Sequence, residues 1–466
     1  MHDCGLNITT SSSAPISNKS KQSGPPGSTM SGLGSSSLSS LPQELLLQIF
    51  KNLKGRNLKN VAQVNMVCRA ICQPLLFARL ALRDDDSTTI RSLERHLLSS
   101  LTFRRGPITT YVRHLSLTSC NECSSQLLEA NLFTLLCLLS RQLRSLRLHD
   151  LCIDKRIKVS ASEFGDLDLS KLEQLDLIDS WLMQSTTMPL KLDQLKSLRL
   201  TCTDSGMNFM PRGLASLSVG CTYCEGYLDG SRCTYELLEK ILRANPGIKT
   251  VDTFRWNDDG IELGRHPRIL TLVHHYLPRL EALSLDVDVK HYTDPGRRRD
   301  EEAIAESQIV TLNYVEFHVA QITSLQSLRL SVTVDTLWSE PIWTKFHAQI
   351  LKNLTSLQCL RQLWFEVKAH TNHPLPSSTP ITRSTESQLD QATAYARAFP
   401  SLSYLSLREV VHNSTGWYHE PGEREAGAFY AFRHQDGCVP QIEELSRRSH
   451  LYRTIEASFK ADEIVQ

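Results

Sequence analysis

The feature that most constrains this chain is a recurring hexamer, Leu-x-x-Leu-x-Leu. Copies or close variants start at residues 112 (VRHLSL), 143 (LRSLRL), 172 (LEQLDL), 195 (LKSLRL), 214 (LASLSV), 280 (LEALSL), 325 (LQSLRL), 360 (LRQLWF) and 402 (LSYLSL), with a degenerate copy, IKTVDT, at 248. The closing Leu-x-Leu alternates as a half-buried strand does. Several copies follow a short amphipathic stretch stopped by Pro or Gly: YELLEKILRANPG, LTLVHHYLPR and ATAYARAFPS. Helix, turn and strand in repetition predict a solenoid, in which each unit lends its apolar face to the next. One such hexamer would be chance in a leucine-rich chain. Nine, several with a helix ahead of them, are a pattern.

The starts are 31, 29, 23, 19, 34, 32, 45, 35 and 42 residues apart. A leucine-rich repeat keeps to about 20–29, so the array is irregular. Looped-out insertions are expected at 292–307 and 373–387. Residues 1–40 hold 13 Ser, 5 Gly and 3 Pro; such a stretch buries too little apolar area to offset its ordering entropy and reads as a disordered lead. Residues 411–466 fit no repeat clearly. Trp417, Tyr418, Phe429, Tyr430 and Phe432 supply enough aromatic surface to cap the open end of a solenoid.

Between lead and repeats, residues 41–82 carry apolar residues at helical spacing. Leu45, Leu46, Ile49, Phe50 and Leu53 share one helical face. Pro42 fits a first turn and Gly55 an ending. A second set is Leu58, Val61, Val64 and Val67. A third helix is expected after Pro74, through Leu75, Leu76, Phe77 and Leu80. A unit this small needs a partner or a neighbouring domain.

This stretch resembles an F-box. The carrying residues are Leu41, Pro42, Glu44, Leu45, Leu46, Leu47, Ile49, Phe50 and Leu53, then Leu58, Val61 and Val64, the VCRA of 67–70 and the PLLF..L of 74–80, an ending similar to fungal members. One position departs: the family usually has Trp or Phe where this chain has Ile71. The resemblance implies docking on a Skp-type adaptor and, through it, a cullin. It implies adaptor-contacting or adaptor-adjacent roles for Leu41, Pro42, Leu45, Ile49, Phe50, Val67, Cys68 and Arg69. An apolar helical face in a partner's groove is a common recognition mode. With the repeats, the chain resembles the leucine-rich-repeat class of F-box proteins, whose repeats hold a protein target. The expected fold is α/β: a lead (1–40), a helical F-box (41–82), an irregular leucine-rich-repeat solenoid (83–410) and a C-terminal cap or tail (411–466). The expected role is target recognition in a ubiquitin ligase, with no catalytic residue and no cofactor of its own; the alternative is a scaffold outside ubiquitination.

The remaining chemistry is sparse. A formal net charge of +1 gives no overall attraction to nucleic acid or anionic membrane. No apolar run is long enough to cross a bilayer. Thirteen scattered cysteines and no signal-peptide pattern predict reduced thiols inside the cell, in cytoplasm or nucleus; the sequons at Asn7, Asn18, Asn353 and Asn413 are then chance. Cys120/Cys123 and Cys221/Cys224 form two CxxC pairs, with Cys233 close behind. Four thiolates could hold zinc, but 97 residues lie between Cys123 and Cys221, and Cys120 falls where a leucine-rich repeat takes Asn or Cys. His274 and His275 lie on a predicted helix. The mixed run RRRDEE at 297–302 reads as a solvated insertion. No phosphate-binding loop, GxSxG or HExxH is present. Arg147, Arg199 and Arg329 sit between the leucines of LRL and face away from them. They are either salt-bridged surface residues or contacts for a phosphorylated target.

Overall fold

A computed structural model describes residues 41–53, 55–83, 108–118, 136, 139–149, 152–154, 168–178, 181–183, 192–201, 210–221, 230–256, 266–288, 301–334, 338–371, 385–413, 422–434, 440–446 and 449–459. The lead, Asn7, Asn18, Cys120, Cys123, Cys224, Trp417 and Tyr418 lie outside these residues, as do 292–300 and 373–384 of the expected insertions. The chain divides into two compact units, residues 1–71 and 72–466.

The first unit holds α1 (Gln43–Lys51), α2 (Gly55–Val61) and the start of α3 (Met66–Leu76). The Pro42 carbonyl accepts the first turn's N–H groups, from Leu45 and Leu46 at 3.1 Å. Gly55 does not close α1. Asn52 does: its N–H donates to Ile49 and its side-chain amide to the Gln48 carbonyl at 2.9 Å. Gly55 instead opens α2. The apolar set from Leu58 to Val67 is broken between α2 and α3, because Asn65 starts a new helix with its Oδ1 accepting the Cys68 N–H at 2.7 Å. Pro74 lies inside α3 rather than before a third helix, and Leu80 belongs to a strand.

The second unit is built on β1 (Arg79–Arg83), β2 (His114–Thr118), β3 (Ser145–His149), β5 (Gln174–Ile178), β7 (Ser197–Thr201), β8 (Ser216–Cys221), β9 (Thr250–Trp256), β10 (Ala282–Asp288), β11 (Ser327–Val334), β12 (Gln362–Thr371), β13 (Tyr404–Asn413), β14 (Gly422–Arg433) and β15 (Gln441–Glu444). They form one thirteen-stranded sheet in that spatial order; β4 (Cys152–Asp154) and β6 (Trp181–Met183) pair separately. Every hexamer, including the degenerate one, supplies a strand. From β1 to β13 each strand is parallel to the next. The layout is compatible with a solenoid. β14 and β15 return antiparallel, so the sheet continues into the segment expected to be a cap.

The register repeats with the hexamer. The carbonyl two residues before the hexamer's Leu-x-Leu accepts two N–H groups from the next strand's start: Arg113 from Arg144 (2.8 Å) and Ser145 (3.1 Å), Arg144 from Glu173 and Gln174, and so on to Arg361 from Ser403 and Tyr404. This stacks leucine on leucine. Leu115, Leu146, Leu175, Leu198, Leu217, Val251, Leu283, Leu328, Leu363 and Leu405 are all at most 2% exposed. The same core takes in the buried faces of α4 (Gly230–Ala244), α5 (His266–Tyr276), α6 (Glu301–Val319), α7 (Glu340–Asn353) and α8 (Thr385–Ala398). Asn245 closes α4. It is buried, its Oδ1 accepts the Leu214 N–H, and its amide donates to the Pro211 and Ile241 carbonyls. Residues 301–307, expected within an insertion, open α6, and 385–387 open α8.

One carboxylate is buried among the helices. Glu316 of α6 accepts hydrogen bonds at Oε2 from the α7 amides Asn353 Nδ2 (2.7 Å) and Gln349 Nε2 (3.2 Å). Burial pushes its pKa from 4.5 up to about 7, against the pull of both amides. The folded state therefore holds this proton to higher pH than the unfolded chain. The group's contribution to stability is full below about pH 4.5 and is lost as pH rises through 7. At about 1.4 kcal/mol per pKa unit, the ceiling is roughly 3 kcal/mol. Glu316→Gln, which keeps the acceptor oxygen, should raise stability at pH 8 by roughly 1–3 kcal/mol and change it little at pH 4.5. Urea unfolding of both proteins at the two pH values checks this.

Candidate functional site

The helical unit has two apolar faces. On α1, Leu46 and Phe50, four residues apart, are each 1% exposed, and Leu58, Cys68 and Ile71 are also buried. Ile71 fills its site at 4% exposure although the family prefers an aromatic there. Leu41, Leu45 and Ile49 form a second i, i+4, i+8 stripe and are 38%, 46% and 44% exposed. Beyond α2, Val64, Met66 and Val67 are exposed too. Among the described residues, eleven large hydrophobic side chains are exposed, and six of them lie between Leu41 and Val67. Such concentration marks an interaction surface, whereas single exposed hydrophobics do not.

Of the eight sequence-derived contact residues, Leu41, Pro42, Leu45, Ile49, Val67 and Arg69 are exposed. Phe50 and Cys68 are buried, so they set the backbone behind the exposed face rather than forming it. Arg69 Nε donates to the Ala62 carbonyl at 3.3 Å, tying α3 back to the end of α2. Val64 and Met66 join the surface without having been among the eight. Their signal was an apolar residue on each side of the helix-starting Asn65.

The sheet supplies a second surface, opposite its leucines. Ser116, Arg147, Asp176 and Arg199 lie in one cross-strand row. The row continues through Ser218, Asp252, Ser284, Arg329 and Trp364. Arg147 Nε pairs with Asp176 at 2.9 Å, and Ser218 Oγ donates to Asp252 at 2.8 Å. Arg329 lies over the Trp364 ring, 5.7 Å from its centroid, with its Nη2 3.9 Å from Glu366. Arg408 and Lys368 close on the same carboxylate at 2.8 and 3.3 Å, and Lys368 reaches Asp286 at 3.7 Å. Burial pushes the Glu366 carboxyl up, but Lys368, Arg408 and Arg329 outweigh it and hold the pKa below its ordinary value. Arg147 and Arg329 are thus ion-paired. Asp176, Glu366, Lys368 and Arg408 escaped the sequence reading, although the LDL of 175–177 beside two LRL copies carried the charge alternation.

Among the described residues, no cluster of three or more His, Cys, Asp or Glu could hold a metal, and no helix is long and apolar enough to cross a membrane. His274 and His275 are exposed on α5.

The two faces of α1 should separate in mutagenesis. Leu46→Ala should cost about 2–5 kcal/mol through lost burial and a residual cavity. Leu45→Ser or Ile49→Ser should stay within about 1 kcal/mol, since both positions are nearly half exposed. Hydrogen exchange of the α1–α3 amides reads both effects.

The family model described as F-box-like matches residues 38–83. No curated protein matches the chain. F-box domains typically bind Skp-type adaptors, and an exposed apolar helical stripe suits that use. The match supports an F-box-like domain at residues 38–83, which suggests an adaptor-binding role of the kind F-box domains have in Skp–cullin–F-box complexes.

Proposed function

We propose that this protein is the target-recognition subunit of a Skp–cullin–F-box ubiquitin ligase, working in the cytoplasm or nucleus. The observation that carries the reading is the concentration of exposed apolar side chains, Leu41, Leu45, Ile49, Val64, Met66 and Val67, inside an F-box-like domain. This surface docks a Skp-type adaptor, and the adaptor brings the cullin. The parallel sheet is an irregular leucine-rich-repeat solenoid, and its face opposite the leucines holds a protein target. Solenoids present extended surfaces of this kind.

The chain then needs no catalytic side chain. It holds a target lysine near a ubiquitin thioester carried by another subunit. Proximity and orientation supply the rate, through a raised effective concentration.

Co-purification with a Skp-type adaptor tests the reading. Wild-type protein should form a stable complex. The variant Leu45→Arg/Ile49→Arg should lose at least about 100-fold in affinity, since two buried apolar contacts of roughly 1.5–3 kcal/mol each would be replaced by desolvated charge. Its fold should survive, because both positions are exposed. Failure of the wild type to bind, or equal binding by the variant, would sink the proposal.

A further inference from the structure

The edge of the sheet where the strands begin carries a charge that the whole chain does not. The forked bonds there join equivalent residues of successive units, N–H to carbonyl at 2.7 to 2.9 Å, from Arg113 to Arg361. These residues therefore stack in one column, about 4.8 Å per step over eight steps, or roughly 40 Å in all. Of its nine side chains, Arg113, Arg144, Lys196, Lys249 and Arg361 are basic, and Glu173 and Glu281 are acidic. The two residues ahead of each hexamer add Arg141, Lys171, Arg212 and Arg279 against Asp193. Over the ten hexamers this entrance rim thus holds nine basic and three acidic side chains, a net charge of +6, whereas the chain of 466 residues totals +1.

Little of this charge is matched inside the fold. Glu173 pairs with Arg144 at 3.6 Å and Glu281 with Lys249 at 2.8 Å, so side chains on adjacent steps of the column stand alongside one another. The other seven cations form no ion pair with any described residue. All of the nine except Arg113 are exposed. Arg113 is half-buried and donates to the Thr110 and Val112 carbonyls. The field of the rim is felt locally. Burial lowers the His114 pKa, and Arg79, Arg144 and Arg113 lower it further, against Glu173. Like charges held in one column repel, and an anionic partner relieves that repulsion. Beside the column, on the polar face, a cross-strand row carries the hydroxyls of Ser145, Ser197, Ser216, Thr250 and Ser327, further donors for such a partner.

We propose that the strand-entrance rim binds an acidic, extended polypeptide segment, laid along the column from Arg113 to Arg361. An extended chain rises about 3.3 Å per residue, so roughly twelve residues match the column. Nucleic acid is the other polyanion that such a rim could attract, and two features favour the polypeptide. Single strands are held by bases stacked on aromatic side chains, and Tyr111 is the one aromatic residue among the thirty rim positions. Glu173 and Glu281 also interrupt the column at its third and seventh positions. They repel a continuous phosphate backbone, whereas a peptide can place an uncharged residue opposite each. That the acidic segment belongs to a ligase target rests on the proposed function; binding at the rim does not.

The test uses the full-length chain and a fluorescein-labelled peptide of twelve glutamates, followed by anisotropy. Wild type should bind it, and raising salt from about 50 to about 200 mM should weaken binding at least about tenfold. Lys196→Glu/Arg212→Glu changes two exposed rim positions. It should keep the wild-type unfolding transition and lose at least about tenfold in affinity. A second rim pair, Arg279→Glu/Arg361→Glu, should do the same. Lys240→Glu/Lys345→Glu makes an equal charge change on exposed positions of α4 and α7, and should bind within about twofold of wild type because those charges are screened from the rim. Single-stranded and duplex DNA of the same number of units should bind more weakly than the peptide at about 150 mM salt. Four results overturn the proposal: no binding of the peptide by wild type, equal binding by the folded rim variants, an equal loss in the helix variant, or tighter binding of either DNA. Adaptor capture, measured in parallel, should be the same for all variants. Its absence from wild type would count against the F-box reading and not against the rim.

Discussion

The second unit depends on one backbone arrangement, repeated at ten consecutive steps. A single carbonyl at the strand entrance accepts two N–H groups from the next strand. A register slip of one residue would turn every leucine to the wrong face. The forked bond prevents that slip at the point where each strand begins. Interval lengths from 19 to 45 residues are tolerated for the same reason: whatever the connection does, the chain re-enters the sheet at a fixed position. The connections vary in content too, from the 3-10 turn at Ser140–Gln142 to the nineteen-residue α6.

The two faces of the sheet follow from alternation, and they obey different energetics. The leucine face is largely apolar; Thr253 of β9 and the buried Glu409 of β13, which accepts from Trp343 Nε1 at 3.3 Å, are exceptions on it. The other face carries ionic groups that must find partners. Arg147 with Asp176 is a two-residue solution, with side chains only 20% and 13% exposed. The Glu366 group is a network in which three cations share one nearly buried carboxylate. Removing any one partner from such a network costs more than the net worth of the pair, because the others are left buried and unmatched. The adjoining cluster of Trp364, Tyr404, Phe429, Ala431, Leu445 and Tyr452 is aromatic by contrast.

The strands were legible because Leu-x-x-Leu-x-Leu imposes a period that survives irregular spacing. The helices before β9, β10 and β13 were legible for a similar reason, each ending at a Pro or Gly. Other elements were not. In α6 the buried Ile309, Leu312 and Val315 are interleaved with the exposed Val310 and Phe317, which blurs the amphipathic stripe. Its start is embedded in a charge run that reads as a loop. The antiparallel return of β14 depends on pairing with β13, and no local pattern encodes it. On the helical unit, the apolar set of α1 was visible, but its division into Leu46/Phe50 inside and Leu45/Ile49 outside was not. Both pairs repeat every four residues, and only the fold decides which one it buries.

Gly427 and the short strand beyond it set how the sheet is edged. A side chain at Gly427 would meet the Leu407 carbonyl at 2.9 Å, so the close approach of β14 to β13 requires glycine there. That approach is what lets the chain double back. A purely parallel array ends in a strand that can template another copy of itself, and stacked copies would lengthen without limit. Here the final strands run the other way, and β15 is four residues long with Glu443 and Glu444 at its end. A parallel strand no longer forms this edge, and Glu443 pairs with Arg433 at 3.2 Å along it. The reversal at β14 therefore ends the parallel stacking and leaves a short antiparallel strand at that edge of the sheet.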